Sequence, residues 1–411
     1  MIDPWTTPER TALRETAAKF TQSEIGSQLS EWEDAGRIPR ELHRRAAAVG
    51  LLGVGFAESV GGSGGDLIDM TAMKEAMVGA GASSGLLAAL FTHGIACPHI
   101  ISAGNTELID AYVRPTLAGD RIGSLAVTEP DGGSDVAAIR TRARADGDDL
   151  IIDGAKTFIT SGVRADFVTT AVRTGGTGHD EISLVVVDTD RPGFTASGPL
   201  RKMGWHCSDT AELSFDGVRV PRSNIVGAPG SGFALLMRHF VSERLSLALH
   251  AYSVAQRSLD LAAAYALERK TFGRPLATRQ VIRHRLVDMH RRIAVARTYS
   301  HSVIERAVDG QDVAADAVLA KKTAVEACDF VVDAAVQIFG GMGYMRESEI
   351  DRHYRDARIL GIGGGATEVL DELAARLLGY APEKLSAPLG PQGNVGLTSR
   401  VVTRHEYADD R

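Results

Sequence analysis

Three stretches of this 411-residue chain carry residue types suited to holding anionic groups. Thr128-Glu129-Pro130-Asp131-Gly132-Gly133-Ser134-Asp135 sets two glycines beside a serine. Such a turn is tight, and its backbone N–H groups can face a phosphate, although an ordinary surface turn has the same composition. Gln337-Ile338-Phe339-Gly340-Gly341-Met342-Gly343-Tyr344 interrupts a helical pattern with three glycines, with Glu347, Arg352 and Asp356 following at helical spacing. Glycines at that density admit a ligand or another backbone, or simply turn one helix into the next. Arg269-Lys270-Thr271-Phe272-Gly273 closes a long helical pattern with two cations. Cations there suit the helix dipole, and Arg269 could equally clamp a pyrophosphate.

Other matches carry less. Gly61-Gly62-Ser63-Gly64-Gly65 has the spacing of a nucleophile elbow, but it follows Ala57-Glu58-Ser59-Val60 in a helical zone, where the elbow needs a strand. Gly361-Ile362-Gly363-Gly364-Gly365-Ala366 has a dinucleotide-fingerprint spacing with no βαβ unit after it. Arg279, Arg283, Arg285, Arg291, Arg292 and Arg297, with His284 and His290, make a basic helix without an interleaved aromatic before Tyr299. With 52 Asp+Glu against 45 Lys+Arg, a net charge of −7, no nucleic-acid partner is expected and an exposed face or subunit contact is the better reading.

The elements that must position these stretches fall into three zones. Residues 1–122 read as a helical domain: Thr7-Pro8-Glu9 is a helix start, followed by Leu13, Ala17, Phe20 and Ile25 at near-helical spacing, and Leu67–Val78 resumes the pattern after the glycine-rich stretch. Residues 123–229 change to short β-branched and aromatic runs. Leu150–Thr160 reads as two strands around an Asp153-Gly154 turn, and 167–172, 182–187, 212–215 and 218–220 as further strands of a small barrel or sandwich. Residues 230–380 return to long amphipathic patterns over 233–270, 281–308, 314–339 and 367–378, the signature of a four-helix bundle. The stretch 381–411 loses the pattern and is expected to be a mobile tail. Apolar residues at 44% and charged residues at 24% exclude a disordered or fibrous chain. The three cysteines, Cys97, Cys207 and Cys328, exclude a disulfide scaffold and a cysteine-rich zinc site, and they suit a cytoplasmic location; no metal is expected. No basic-then-apolar leader opens the chain, and the nearest approach to a membrane span, Val78–Ile101, is rich in Gly, Ala and Ser and reads as a buried helix, so no membrane association is expected.

Taken together, the motifs resemble the acyl-CoA dehydrogenase family of FAD enzymes. Ala126–Ala138 is similar to that family's first signature, Gln337–Asp356 to its second, and Ala266–Gly273 followed by Gln280 to a third block, in the right order over residues 5–380. The resemblance implies a mainly α fold in three domains, helical, β and four-helix bundle, in a homotetramer that binds FAD and an acyl-CoA and passes electrons to an electron-transfer flavoprotein. It implies that Leu125, Val127, Thr128, Gly133 and Ser134 line the flavin and pyrophosphate, and that Phe158, Ile159 and Thr160 hold the isoalloxazine. It assigns Arg269, Thr271, Phe272, Gln280, Gln337, Gly340 and Gly341 to FAD held mainly by a neighbouring subunit, Thr367 and Glu368 to further FAD contacts, and Ser134 and Arg244 to the substrate.

The sequence departs from the commonest family pattern at the base. Where many members carry a catalytic Glu before the last helix, this chain has Gly364 within Gly363-Gly364-Gly365-Ala366-Thr367. A branch that includes isovaleryl-CoA dehydrogenase instead places the Glu on the long helix before an Arg, and this chain has Ser242-Glu243-Arg244 there. By resemblance Glu243 is the base, and the backbone N–H of Gly364, with a ribityl hydroxyl of FAD, meets the oxyanion. The chemistry suits a carboxylate whose pKa is raised in a closed apolar site. A flavin oxidase or monooxygenase on the same fold, or an inactive FAD-binding subunit, is the alternative. The missing side chain at Gly364 further predicts an empty volume that a branched acyl group fills.

Overall fold

The computed structural model describes residues 3–176 and 178–380, so the expected tail at 381–411 lies outside the described residues. The N-terminal zone forms α1 (Pro8–Phe20), α2 (Leu29–Ala35), α3 (Glu41–Ala48), α4 (Leu67–Gly79), α5 (Ser84–Leu90), α6 (His93–Ala103), α7 (Thr106–Leu108) and α8 (Arg114–Leu117). Thr7 caps α1, its hydroxyl accepting from the Arg10 N–H, and Pro8 occupies the first turn, where its missing N–H costs nothing. Arg10 then bridges to Asp66 and Asp69, the capping box of α4, which ties the two helices together. The Val78–Ile101 stretch is not one helix: it breaks between Gly79 and Ser84 and again after Leu90, where Thr92 turns its hydroxyl onto the Ala88 carbonyl and the Ser161 hydroxyl. Residues 84–103 are apolar enough to cross a membrane by composition alone, yet Leu86, Leu90, Cys97 and Ile100 are wholly buried in the protein core.

The middle zone is one eight-stranded sheet of β1 (Gly123–Ala126), β2 (Arg142–Asp146), β3 (Asp149–Thr160), β4 (Phe167–Arg173), β5 (Ile182–Asp188), β6 (Phe194–Ala196), β7 (Thr210–Pro221) and β8 (Ile225–Val226). The order is β6-β7-β3-β2-β4-β5-β8, with β1 added parallel to β4. Asp153-Gly154 is not the hairpin expected. The strand runs on through a bulge between Ile152 and Gly154, because Gly154, at φ +148°, lets Thr141 approach where a Cβ would stand. The runs 212–215 and 218–220 likewise merge into the twelve-residue β7. One face of the sheet packs Ile152, Val168, Val185, Leu213 and Val218 into its own core; the other packs Phe167, Leu184 and Val186 against Ile100 and Leu236 from the helices.

The C-terminal zone is α9 (Gly232–Glu268), α10 (Gln280–Val308), α11 (Ala314–Phe339), α12 (Glu349–Ala357) and α13 (Thr367–Leu377), with a two-stranded hairpin, β9 (Lys270–Thr271) and β10 (Arg274–Pro275), between α9 and α10. The first turns of α9 bury Leu235 and Leu236 against the sheet. Its later turns bury Ala248, Ala251, Ala255 and Ala262 in the bundle core with Ala317, Ala320, Ala324 and Ala327 of α11. Small side chains on both partners let the two helices pack closely.

Inside the sheet, the fully buried Lys156 donates to the Glu129 carboxylate at 2.8 Å and to the Val127 carbonyl at 3.0 Å. Glu129 also accepts from the backbone N–H groups of Arg140 and Thr141, so the Thr128–Ser134 turn is pinned from inside. Burial works to raise the Glu129 carboxyl, but Lys156 and these N–H groups hold it below the usual range. Lys156→Met is therefore expected to leave a buried, uncompensated carboxylate and to cost about 3–5 kcal/mol. A lowered thermal midpoint that Lys156→Met/Glu129→Gln largely restores confirms the pairing; an unchanged midpoint in the single variant refutes it.

Candidate active site

The Thr128 turn and the end of β3 lie side by side, joined by the Thr157 N–H donating to the Thr128 carbonyl at 2.9 Å. A second register shift, between Lys156 and Ile159, puts Phe158 at φ +59°. A non-glycine residue there is strained and marks a site where side-chain direction matters. Ile159 points into the core at 3% exposure, while the Phe158 ring is 69% exposed beside Thr160. Leu125, Val127 and Thr128 are half-buried next to it, and Gly133 and Ser134 are exposed. A Cβ at Gly132 would meet nothing within 4 Å, and one at Gly133 would meet only the Thr128 methyl.

A second group assembles at the far ends of α9 and α11. The Arg269 N–H donates to the Tyr265 carbonyl, and the Tyr265 ring stacks on Phe339 at 4.2 Å. The stack brings the Arg269–Gln280 hairpin beside the Gln337–Gly341 turn. Arg269, Gln280, Gln337, Gly340 and Gly341 are all exposed, Thr271 is half-buried, and Phe272 stands 96% exposed at φ +52°. Within the described residues no hydrogen bond joins this group to the Phe158 region. Thr367 and Glu368 open α13, with the Thr367 hydroxyl on the Gly361 carbonyl.

The third assembly is at Gly364. Glu243 projects from α9 so that its Oε1 lies 3.6 Å from the point where a Cβ on residue 364 would stand. Burial raises the Glu243 carboxyl above its usual range, against the opposing pulls of Arg244 and Lys321. Arg244 is itself 7% exposed, rides over the Phe240 ring, and has a buried Nε with no hydrogen-bond partner among the described residues. A buried guanidinium lacking an acceptor is what a ligand carbonyl or phosphate completes. The expected void beside Gly364 does not exist: a Cβ there would overlap the Leu247 Cδ1 methyl, one helical turn beyond Glu243. Two groups escaped sequence reasoning. Leu247 has no signal in the sequence. Lys321, 1% exposed, donates to the carbonyls of Gly363 and Gly365. Its place on the apolar stripe Ala317-Ala320-Lys321-Ala324-Cys328 of α11 is the one clue.

Family models for the N-terminal, middle and C-terminal domains of acyl-CoA dehydrogenase match residues 7–120, 124–218 and 230–379. The chain belongs to the acyl-CoA dehydrogenase family. A crystal structure of a probable acyl CoA dehydrogenase from Mycobacterium abscessus is 61% identical, with TM-score 0.90, and covers 91% of this chain and 100% of that one. The long-chain specific acyl-CoA dehydrogenase of Rattus norvegicus is 36% identical across 90% of this chain and 86% of its own length. The benzylmalonyl-CoA dehydrogenase of Aromatoleum aromaticum is 34% identical across 90% and 98%. The protein is an FAD-dependent oxidoreductase acting on an acyl-CoA, and its chain fits that cofactor. The open Gly132-Gly133-Ser134 turn suits a diphosphate, the exposed Phe158 ring a flat heterocycle, and the exposed Arg269 a pyrophosphate.

The raised carboxyl of Glu243 has a thermodynamic sign. The folded chain holds that proton more tightly than the unfolded chain, so ionising Glu243 opposes folding as pH rises from the unfolded to the folded value. Glu243→Gln is expected to melt no lower than the wild type at neutral pH while losing several decades of turnover. Calorimetry and anaerobic stopped-flow check both halves, and a variant of near wild-type rate removes Glu243 from the chemistry.

Proposed function

We propose that this dehydrogenase converts an acyl-CoA to its trans-2-enoyl-CoA with Glu243 as the base. The observation that carries the reading is the Glu243 carboxylate lying against the Gly364 turn, where the more common family base would originate. Burial makes that carboxylate a stronger base than an exposed one, and the α-proton of the thioester passes to it. The charge that builds on the thioester oxygen needs a donor, and the Gly364 N–H has no acceptor among the described residues. Arg244, beside the base and short of a partner, is placed to hold the substrate. Bound FAD supplies the hydride acceptor at N5. A positioned Glu243 argues against an inactive subunit.

Electrons leave for an electron-transfer flavoprotein and the protein works as a homotetramer in the cytoplasm on this reading. The exposed Arg269, Phe272, Gln280 and Gln337 cluster supports the assembly: a second copy covering it would complete the half-site at Phe158. The buried, unpaired thiols of Cys97, Cys207 and Cys328 support a reducing compartment.

Anaerobic titration of the holoenzyme with straight-chain, branched and aromatic acyl-CoA thioesters tests the reaction. At least one should bleach the wild-type flavin, and none should bleach Glu243→Gln at a comparable rate. For the assembly, Arg269→Ala is expected to lower flavin content and shift the sedimentation profile toward smaller species together, because ligand and assembly are linked by mass action. A fully flavinated monomer would contradict the shared site.

A further inference from the structure

Lys321 is one of the most deeply buried charges in the protein, and it faces the reaction centre proposed above. It sits in the first third of α11 with a side chain 1% exposed, whereas its neighbour Lys322 reaches outward to Asp371 at 2.7 Å. The Lys321 ammonium donates to two backbone carbonyls, that of Gly363 and, at 2.7 Å, that of Gly365. Both belong to the turn that carries Gly364 at φ +65°. The ammonium and the Glu243 carboxylate stand 3.7 and 3.6 Å from the same would-be Cβ position at residue 364. Even so, no ion pair joins them among the described residues. A buried ammonium that forgoes a nearby carboxylate for two carbonyls is spending its charge on the turn.

The bond to Gly363 matters because of covalent structure. The Gly363 carbonyl and the Gly364 N–H are two ends of one peptide group. A cation on the oxygen draws electron density along the conjugated amide and makes the N–H a stronger donor, as in any hydrogen-bonded chain. That N–H has no acceptor among the described residues. We propose that Lys321 is a positioning residue of the oxyanion site, which fixes the Gly363–Gly365 turn and polarises the Gly363–Gly364 peptide so that the Gly364 N–H binds the thioester oxygen most strongly when it carries charge. The inference rests on the dehydrogenation reading and names the chain group that serves its transition state. The charge also faces the base. Burial lowers the Lys321 ammonium to about 8 against the pull of Glu243, and Arg244 is the other charge that bears on it.

The test compares wild type, Lys321→Met, Lys321→Arg and Lys321→Gln as flavin-loaded holoenzymes. The ligand is the trans-2-enoyl-CoA of whichever acyl-CoA reduces the wild type fastest, labelled with carbon-13 at the carbonyl. Difference infrared spectroscopy reads the hydrogen bond directly: a strong donor lowers the thioester carbonyl frequency. The wild type should show a clear downshift, and Lys321→Met should lose most of it. The rate of flavin reduction should fall about 10–100-fold with little change in KM, short of the roughly 100–1,000-fold seen when an oxyanion donor is deleted outright. The acidic limb of the rate–pH profile should move to higher pH as Glu243 loses its neighbouring cation. Lys321→Arg should recover part of the rate by restoring the charge. If Lys321→Met fails to fold, Lys321→Gln keeps a neutral donor to the turn and should still lose the downshift. A wild-type downshift and rate in folded Lys321→Met or Lys321→Gln overturns the proposal and leaves the dehydrogenase reading standing. A wild type that no acyl-CoA reduces overturns that reading instead.

Discussion

The chemistry depends on the packing of α9 against α11. One helix of 37 residues spans two environments: its first turns close the helix-facing side of the sheet, and its later turns form the seam of the bundle. Glu243 and Arg244 sit at the changeover. The alanine-lined contact with α11 brings Lys321 to the far side of the same turn. Relax that contact by one large side chain and the carboxylate, the guanidinium and the ammonium lose their common reference. The two helices act as a caliper whose jaws meet at Gly364.

Buried ionisable groups hold three irregular segments of the chain. The Thr128–Ser134 turn is pinned by Lys156 through Glu129, and the Gly363–Gly365 turn by Lys321 through two carbonyls. Asp356 secures a third junction: it accepts from the Trp205 N–H at 2.6 Å, its carbonyl takes the indole N–H, and burial pushes its carboxyl up to about 7. Each cation or carboxylate trades solvation for geometry. That trade makes sense where an irregular segment has no ladder of backbone hydrogen bonds to hold it.

Much of this was legible in the sequence, for a physical reason. Long helices announce themselves because the 3.6-residue period repeats many times, and the patterns over 281–308 and 314–339 correspond to α10 and α11 within a residue. Asp153-Gly154 misled because a glycine needed for close approach in a bulge has the same local signature as one needed for a hairpin turn; only the position of Thr141 across the sheet separates them. The residues assigned to the flavin rest on resemblance, since their spacing alone fitted several bland uses. Lys321 stayed hidden because a lysine followed by another lysine in an alanine-rich helix reads as a solvent face. Its role depends on carbonyls more than forty residues away. The filled space at Gly364 was unreadable for the same reason, since nothing local ties Leu247 to it.

The Leu247 methyl over Gly364 also bears on which side chains residue 364 can carry. A glutamate at residue 364 needs a β-carbon in a left-handed conformation, at about 1–2 kcal/mol, in space that Leu247 already fills. It would also bring a second carboxylate up to Glu243, and like charges that close cannot both ionise freely. A glutamate at residue 364 is therefore coupled to both of these neighbours on α9: the Leu247 methyl would have to turn aside, and one of the two carboxylates would be held neutral. One methyl group and one carboxylate on α9 thus set what the turn beneath them can carry.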